Sequence, residues 1–386
     1  MSTRAFPNLD LASIRQHEFT AASRLAYFDH ASDSPVPERA ARVISERTTL
    51  LQDPSAAVKP REEYFDQSRQ RLGHMTNANP AQFAFLTNIS DATATIANGI
   101  AWQPGDEVVL IRGEFASFVY PWCNLEPVGV TVRFVEKGGA VGNDLDRIEA
   151  AIGPRTRVVA ISHVEYESGY RNDLEALARL THARDALFVV DASQSLGVLP
   201  IDIERNGIDA LVSVGYKWLM APHGISVLYV SERAMDQIRP TMPGRYSVDA
   251  GWQTLEYGLS WRPDAWRYQG GALNWIGVCA LAESLGLLEM IGPEAVESAA
   301  MGTMDRIVEQ LKDLPVEIKS DLTPARRSAI LAFTLGSNEA DEACVTSARE
   351  KGILVGSRGY GIRTGAHLWN NQRDVETLIA HIQECL

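Results

Sequence analysis

The sequence of 386 residues is short of several features, and each shortage removes a class of function. It has no run of lysine or arginine, and 36 basic against 49 acidic residues leave a formal charge of −13. Proteins that grip a nucleic-acid backbone draw their affinity from clustered cations, so no nucleic-acid partner is expected. A single small anion stays compatible, because a few local cations bind one in an acidic chain. Cysteine is scarce: Cys123, Cys279, Cys344 and Cys385 form no CxxC pair. Neither a disulfide framework nor a thiolate zinc site is therefore expected. The eight histidines show no HExxH or paired-ligand spacing, so no catalytic metal is expected. No apolar run approaches the roughly 18 residues of a membrane span. The opening MSTRAFPNLDL reaches Asp10 without an apolar stretch, so a secretory signal is not expected and the chain reads as cytoplasmic. Nucleotide-binding loops fail too: there is no G-x-x-x-x-G-K-[ST] run, and GYGIRTG (359–365) misses the dinucleotide fingerprint by one position. What remains is ordinary globular composition, 45% hydrophobic and 22% charged.

That length predicts two or three compact units. Short apolar strands are predicted at 83–87, 107–112, 130–136, 156–164, 187–191, 210–214 and 225–230. Several are continuous β-branched runs, as strands buried on both faces should be. Amphipathic stretches such as 91–101 and 173–185 lie between them. Strands alternating with helices predict crossover units and a largely parallel α/β sheet. Ligands then belong beyond the carboxyl ends of the strands, so the residues just after each strand matter most. Past about residue 235 the pattern changes. Segment 240–275 is rich in Pro, Gly and Trp and holds Trp252, Trp261, Trp266 and Trp275. A long apolar helix follows near 276–291, then helices near 295–312 and 373–385 within a smaller α+β region. The predicted organisation is an N-terminal segment (1–25), a large domain (26–275) and a small C-terminal domain (276–386).

Two strand ends carry the chemistry. In VVDASQSLG, Asp191 closes an apolar strand; in SVGYKWLMAPHG, Lys217 follows another after a two-residue turn. Alone, an Asp at a strand end is commonly a turn former or cap, and a loop Lys is commonly a solvated charge. Together, 26 residues apart, they fit one chemistry. A lysine amine holds an aldehyde cofactor as a Schiff base, and a carboxylate keeps the pyridine nitrogen of pyridoxal phosphate protonated.

With these two motifs the chain resembles the class V family of pyridoxal-phosphate-dependent aminotransferases, which includes cysteine desulfurases, kynureninases and isopenicillin N epimerase-like proteins. The resemblance runs in order through YFDHASDSPVP (27–37), TNISDAT (87–93), PGDEVV (104–109), EFASFVYPW (114–122), SHVEYESG (162–169), RYQGGALN (267–274) and IRTGAHLWNN (362–371). It implies fold type I, a large domain with a seven-stranded mostly parallel sheet beside a smaller α+β domain. It implies a homodimer whose subunits share the active site, and an amino acid as substrate. Lys217 would form the Schiff base and serve as acid and base at Cα. Asp191 would pair with the pyridinium nitrogen, and Gln194 with the cofactor's phenolic oxygen, near Tyr166. Ser90, Asp91 and the backbone after Asn88 would open a helix that cradles the phosphate, and Tyr216 would donate to the same group. Phe115 would stack on the ring. Arg363 would grip a substrate carboxylate with its planar fork. Its rivals by sequence are Arg245, Arg262 and Arg267.

Three departures bear on function. The arginine loop GILVGSRGYGIRTG (352–365) has no cysteine, which argues against desulfuration through a protein persulfide. Ala272 replaces the threonine that desulfurases supply to a neighbouring subunit's phosphate, leaving Gly271 amides or Asn274 to satisfy it across a dimer interface. His30 stands where asparagine is usual, as a substrate contact or a filler of the site entrance. His163 is tempting as an acid/base group, but a satisfied buried histidine is the preferred reading. The Trp252–Trp275 cluster either lines the pocket or packs the domain. Transamination leads on family breadth, with a kynureninase-like or C–S lyase next and epimerisation after it. A non-catalytic sensor domain is disfavoured by Lys217, Asp191, Gln194 and Arg363 occurring together.

Overall fold

The computed structural model describes residues 10–53, 55, 62–137, 143–249 and 257–386. A two-residue strand, β1 (Ala26–Tyr27), precedes the seven strands of the main sheet. These are β2 (Phe83–Leu86), β3 (Glu107–Ile111), β4 (Thr131–Val135), β5 (Thr156–Ser162), β6 (Leu187–Asp191), β7 (Ala210–Val214) and β8 (Ser226–Val230). Their order across the sheet is β2-β8-β7-β6-β5-β3-β4, with β8 antiparallel to both neighbours and the remaining pairs parallel. All seven predicted strands are present. β3, β6, β7 and β8 are buried at every position, which explains their unbroken apolar runs. β4 lies at the edge and alternates in exposure.

Four strands, β2 to β5, end one or two residues earlier than their sequence pattern, and two of these ends shape the site. β5 stops at Ser162 because the chain turns away there: His163 still donates to the Asp191 carbonyl, while Val164 bridges back to Arg171. β3 stops at Ile111. Both turns fall at carboxyl ends, where the site is built.

The C-terminal region holds β9 (Glu317–Ile318), β10 (Ile330–Thr334), β11 (Ile353–Leu354), β12 (Gly356–Arg358) and β13 (Gly361–Gly365). Four of them form an antiparallel sheet in the order β12-β13-β10-β9. β11 instead pairs in parallel with β1, and Asp29 bridges Gly365. Residues 26–29 thus pair with the C-terminal region. The apolar helix Trp275–Ile291 is capped by Asn274 and packs, largely buried, against the helices Glu38–Leu50 and Glu62–Thr76. Among the described residues no single helix is long and apolar enough to cross a membrane.

Candidate active site

Asp191 ends β6 and Lys217 follows β7, and the two strands are paired with Asp191 opposite Val212. Sheet register therefore brings both residues to one rim. The loops that carry them touch at Gly197, whose φ of +105° suits glycine and whose added Cβ would lie 2.5 Å from the Trp218 carbonyl oxygen. Between them opens a cavity of about 270 Å³ lined by Asn88, Ser90, Asp91, Phe115, Tyr166, Asp191, Gln194, Tyr216 and Lys217. Ser117, Ser162 and Ser193 also line it and escaped the sequence reading, since isolated serines carry no spacing signal.

Lys217 is buried, and among the described residues its Nζ makes no ion pair or hydrogen bond; the Phe115 ring centroid lies 5.5 Å away. Burial pushes the amine down to about 8, with Asp191 opposing and Arg363 and Arg358 assisting. Asp191 is buried and accepts from the Ser193 amide at 2.8 Å. Burial raises its carboxyl, and the Ser193 bonds and Lys217 pull it back. The rim thus offers a nucleophilic amine opposite a carboxylate.

At the opposite wall the helix Ile89–Gly99 begins. Asn88 caps it, accepting from the Asp91 amide at 2.9 Å, and the residues of this first turn, Ser90 among them, line the cavity, where a helix N-terminus offers unpaired amides. Asn88 rather than Ser90 is thus the cap, leaving Ser90 for a ligand. The Ser226 hydroxyl donates to the Asn88 carbonyl and ties this corner to β8. Tyr216 stacks on His223 at 4.0 Å, and burial raises its phenol. Phe115 is 41% exposed, whereas a core phenylalanine would be covered, so its ring is a cavity wall. Tyr166 meets it edge-on at 5.4 Å. Below Phe115, Glu114 is buried against the Ser162 amide and hydroxyl, and burial beside Glu165 raises it well above the usual carboxylate range. Gln194 has its amide orientation set: Oε1 accepts from Trp218 Nε1 and Nε2 donates to the Ala31 carbonyl, each at 2.9 Å. One Nε2 hydrogen is left for a ligand.

Arg363 sits on β13, fully buried, and its charge reaches Lys217. Nη1 donates to the Tyr166 carbonyl at 2.7 Å and Nη2 to Ser32 Oγ at 2.6 Å, with Asp29 at 3.4 Å. Its Nε is buried with no hydrogen-bond partner, a cost that an anionic ligand would remove. The rivals are engaged elsewhere: Arg262 pairs with Asp264, Arg267 donates to the Arg262 carbonyl, and Arg245 lies over the Tyr246 ring. The arginine that does share this corner is Arg358, bonded to Ser32 Oγ at 3.0 Å, which the sequence did not single out.

Two expectations need correction: the place of His30 and the satisfied state of His163. His30 is neither at the entrance nor on the cavity wall: it is wholly buried among Tyr27, Trp218, His367 and Trp369, with Nδ1 on Ser34 Oγ. Burial keeps it neutral, and it packs behind Trp218, the neighbour of Lys217. His163 points away, because Ser162 and Val164 line the cofactor-side cavity while His163 lines a separate one with Arg171. It is buried, but its Nδ1 has no partner, and burial pushes it down to about 3. Gly271 and Asn274, expected to act across a dimer interface, do not line the cavity of their own chain. Gly271 and Ala272 line a small separate cavity, and Asn274 is committed to capping, accepting from the Gly277 amide at 3.0 Å. Of the tryptophans, Trp252 lies outside the described residues. Trp266 packs against Phe65 between Arg69 and Arg262, and neither Trp261 nor Trp275 lines the main cavity.

A buried unpaired lysine facing a buried carboxylate, with a helix N-terminus and an exposed ring beside them, fits pyridoxal phosphate and defines a fold type I enzyme that uses it. The Aminotransferase class-V family model matches residues 26–378, and the chain belongs to that family. A probable cysteine desulfurase of Methanothermobacter thermautotrophicus is 25% identical, covering 97% of this chain and 96% of its own. A cysteine desulfurase of Escherichia coli strain K12 / DH10B is 26% identical over 89% of this chain and 84% of its own. In fold, the chain is similar to the apo cysteine desulfurase of Thermococcus onnurineus NA1 (TM-score 0.85, 23% identity, 96% and 97% covered). It is also similar to the cystine C–S lyase C-DES in complex with cysteine persulfide (TM-score 0.87, 23% identity, 95% and 99% covered).

Proposed function

We propose that the chain is a carbon–sulfur lyase acting on a small sulfur-containing amino acid, cysteine or its disulfide. It would release the sulfur to solution rather than onto the protein. The observation that carries this is the make-up of the cavity: no cysteine lines it, and none stands in 352–365, although the relatives in sequence are named as cysteine desulfurases.

When bound, pyridoxal phosphate supplies an electron-accepting ring conjugated to the substrate nitrogen, which makes the Cα proton removable and a Cβ substituent able to leave. Its phosphate would be held by the amides after Asn88, Ser90 and Tyr216, and its ring nitrogen by Asp191. Arg363 would take the substrate carboxylate through its unpartnered Nε side. Lys217 is poised to accept the Cα proton at Nζ and to return a proton to the departing sulfur, since an amine of about 8 exchanges protons in both directions near neutrality. With cysteine the balance is one cysteine and one water to pyruvate, ammonia and hydrogen sulfide.

Incubation of the holoenzyme with L-cysteine should yield pyruvate and sulfide in equal amounts. Alanine, with sulfur retained on the protein, would assign a desulfurase instead. A keto acid accompanied by the pyridoxamine form would assign a transaminase. We also propose a homodimer in which segment 257–275 reaches the partner's site; Tyr257 and Leu259 are 84% and 63% exposed, an apolar face that a partner would cover. Sedimentation of the active enzyme at the mass of one chain would exclude it.

A further inference from the structure

The helices Asn338–Glu350 and Gln372–Cys385 lie side by side in the small domain, away from the cofactor cavity. Where they pack, the ligand atoms of Cys344, His381 and Cys385 all come within 4.8 Å of one another. His381 and Cys385 are one helical turn apart and so share a face. Cys344 and Cys385 are distant in sequence, which is why cysteine spacing showed nothing.

We propose that Cys344, His381 and Cys385 form a binding site for a soft divalent cation of the zinc class. The separation of two of the donors suits such an ion. His381 Nε2 lies 3.4 Å from Cys385 Sγ. Zn–S and Zn–N bonds of about 2.3 and 2.0 Å at a tetrahedral angle separate their donor atoms by roughly 3.5 Å. Two thiolates and an imidazole are the donor set that favours zinc over the hard cations. Ser347 Oγ, 3.3 Å from His381 Nε2 and 4.0 Å from Cys385 Sγ, borders the fourth position, which a water would complete.

The outer shell is present as well. His381 Nδ1 is buried without a hydrogen-bond partner, and Glu384, through the oxygen it also shares with Lys351, places a carboxylate 4.0 Å from it. Metal-bound histidines characteristically donate the second ring N–H to a carboxylate. Without metal, Nε2 bonds the Cys344 carbonyl at 3.0 Å. On binding, the ring proton moves to Nδ1 toward Glu384, and Nε2 offers its lone pair to the ion. Both thiols give up their protons to solvent, so uptake weakens as pH falls. Cys344 and His381 are buried while Cys385 is half-exposed, which leaves an entry path beside Cys385.

The test is cobalt(II) or zinc(II) chloride added to the reduced, cofactor-loaded protein. One ion per chain should survive gel filtration, and cobalt should give the red-visible bands of a tetrahedral thiolate site, clear of the cofactor's yellow band. Cys385→Ser and His381→Gln should weaken binding by more than the roughly 100-fold that loss of an outer-shell partner costs. Zinc should raise the melting temperature of the wild type but not of Cys385→Ser. Cys123→Ser, a substitution remote from the cluster, should bind as the wild type does. The proposal is overturned if no ion is retained, or if Cys385→Ser and His381→Gln both bind undiminished. Isolation of a Cys344–Cys385 disulfide from reduced protein that takes up no metal would likewise overturn it.

Discussion

Lys217 and Arg363 mark the two ends of the candidate site, and the regions that hold them are built in opposite ways. The cofactor end comes from adjacent strands: Asp191 and Lys217 stand at the tips of β6 and β7, with the Asn88 cap tied to β8 by Ser226. The proposed carboxylate end is assembled from three remote segments, since Arg363 is fastened to Asp29, Ser32 and Tyr166. The partnering differs too. Lys217 Nζ is left without an ion pair or hydrogen bond among the described residues, whereas both terminal nitrogens of Arg363 are fixed. The group proposed to bond, release and carry protons is kept free. The group proposed only to aim is locked in advance, so little side-chain entropy would be lost when substrate binds.

Lys217→Ala should have the largest effect, removing the cofactor's yellow band and lowering turnover on the order of 10⁴-fold or more. A retained band would show that another amine holds the cofactor and would erase the contrast. Arg363→Ala should come next, cutting kcat/KM about 100-fold, equivalent to roughly 3 kcal/mol of charged hydrogen bonding, while the band persists. Steady-state kinetics beside the spectrum separates the two ends: loss of the band in this variant would mean that they are not independent.

Gly197→Ala tests what joins the strand-end loops. A Cβ there would clash with the Trp218 carbonyl at a left-handed φ, so stability should fall by about 2–3 kcal/mol, seen as a lower urea midpoint. An unchanged midpoint would mean that the Asp191 and Lys217 loops do not depend on this approach. Smaller still is the pH effect on cofactor capture by the apo protein. Only the neutral amine attacks an aldehyde, so capture should rise with pH through a midpoint of about 8 rather than near the usual lysine value. Asp191 raises the Lys217 amine, so Asp191→Asn should move the midpoint downward; an upward move would contradict the assigned electrostatics. Ser32→Ala should cost the least, a KM increase of about fivefold through a less firmly aimed Arg363.

Much of the cofactor end was legible in the sequence because it is written in local patterns. Unbroken β-branched runs announce strands buried on both faces, and the residue after each run stands at the sheet's rim whatever the rest of the chain does. Asp191, Lys217, Ser90, Phe115, Tyr166, Gln194 and Tyr216 all meet at one cavity for that reason. Pattern gave no direction to residues whose role depends on packing. His30 stood beside recognisable motif residues yet lies sealed in an aromatic cluster, and His163 alternates to the wrong face of its strand's end. Asn274 was spent on capping a helix.

Period and strand-end residues are local properties, and they were enough to specify the α/β sheet, its cofactor rim and the family that shares them. Only the folded chain shows which arginine is held between Ser32 and Tyr166, and that Cys344, His381 and Cys385 converge between two helices. Those placements depend on contacts between segments tens to hundreds of residues apart, and no local spacing encodes such a contact.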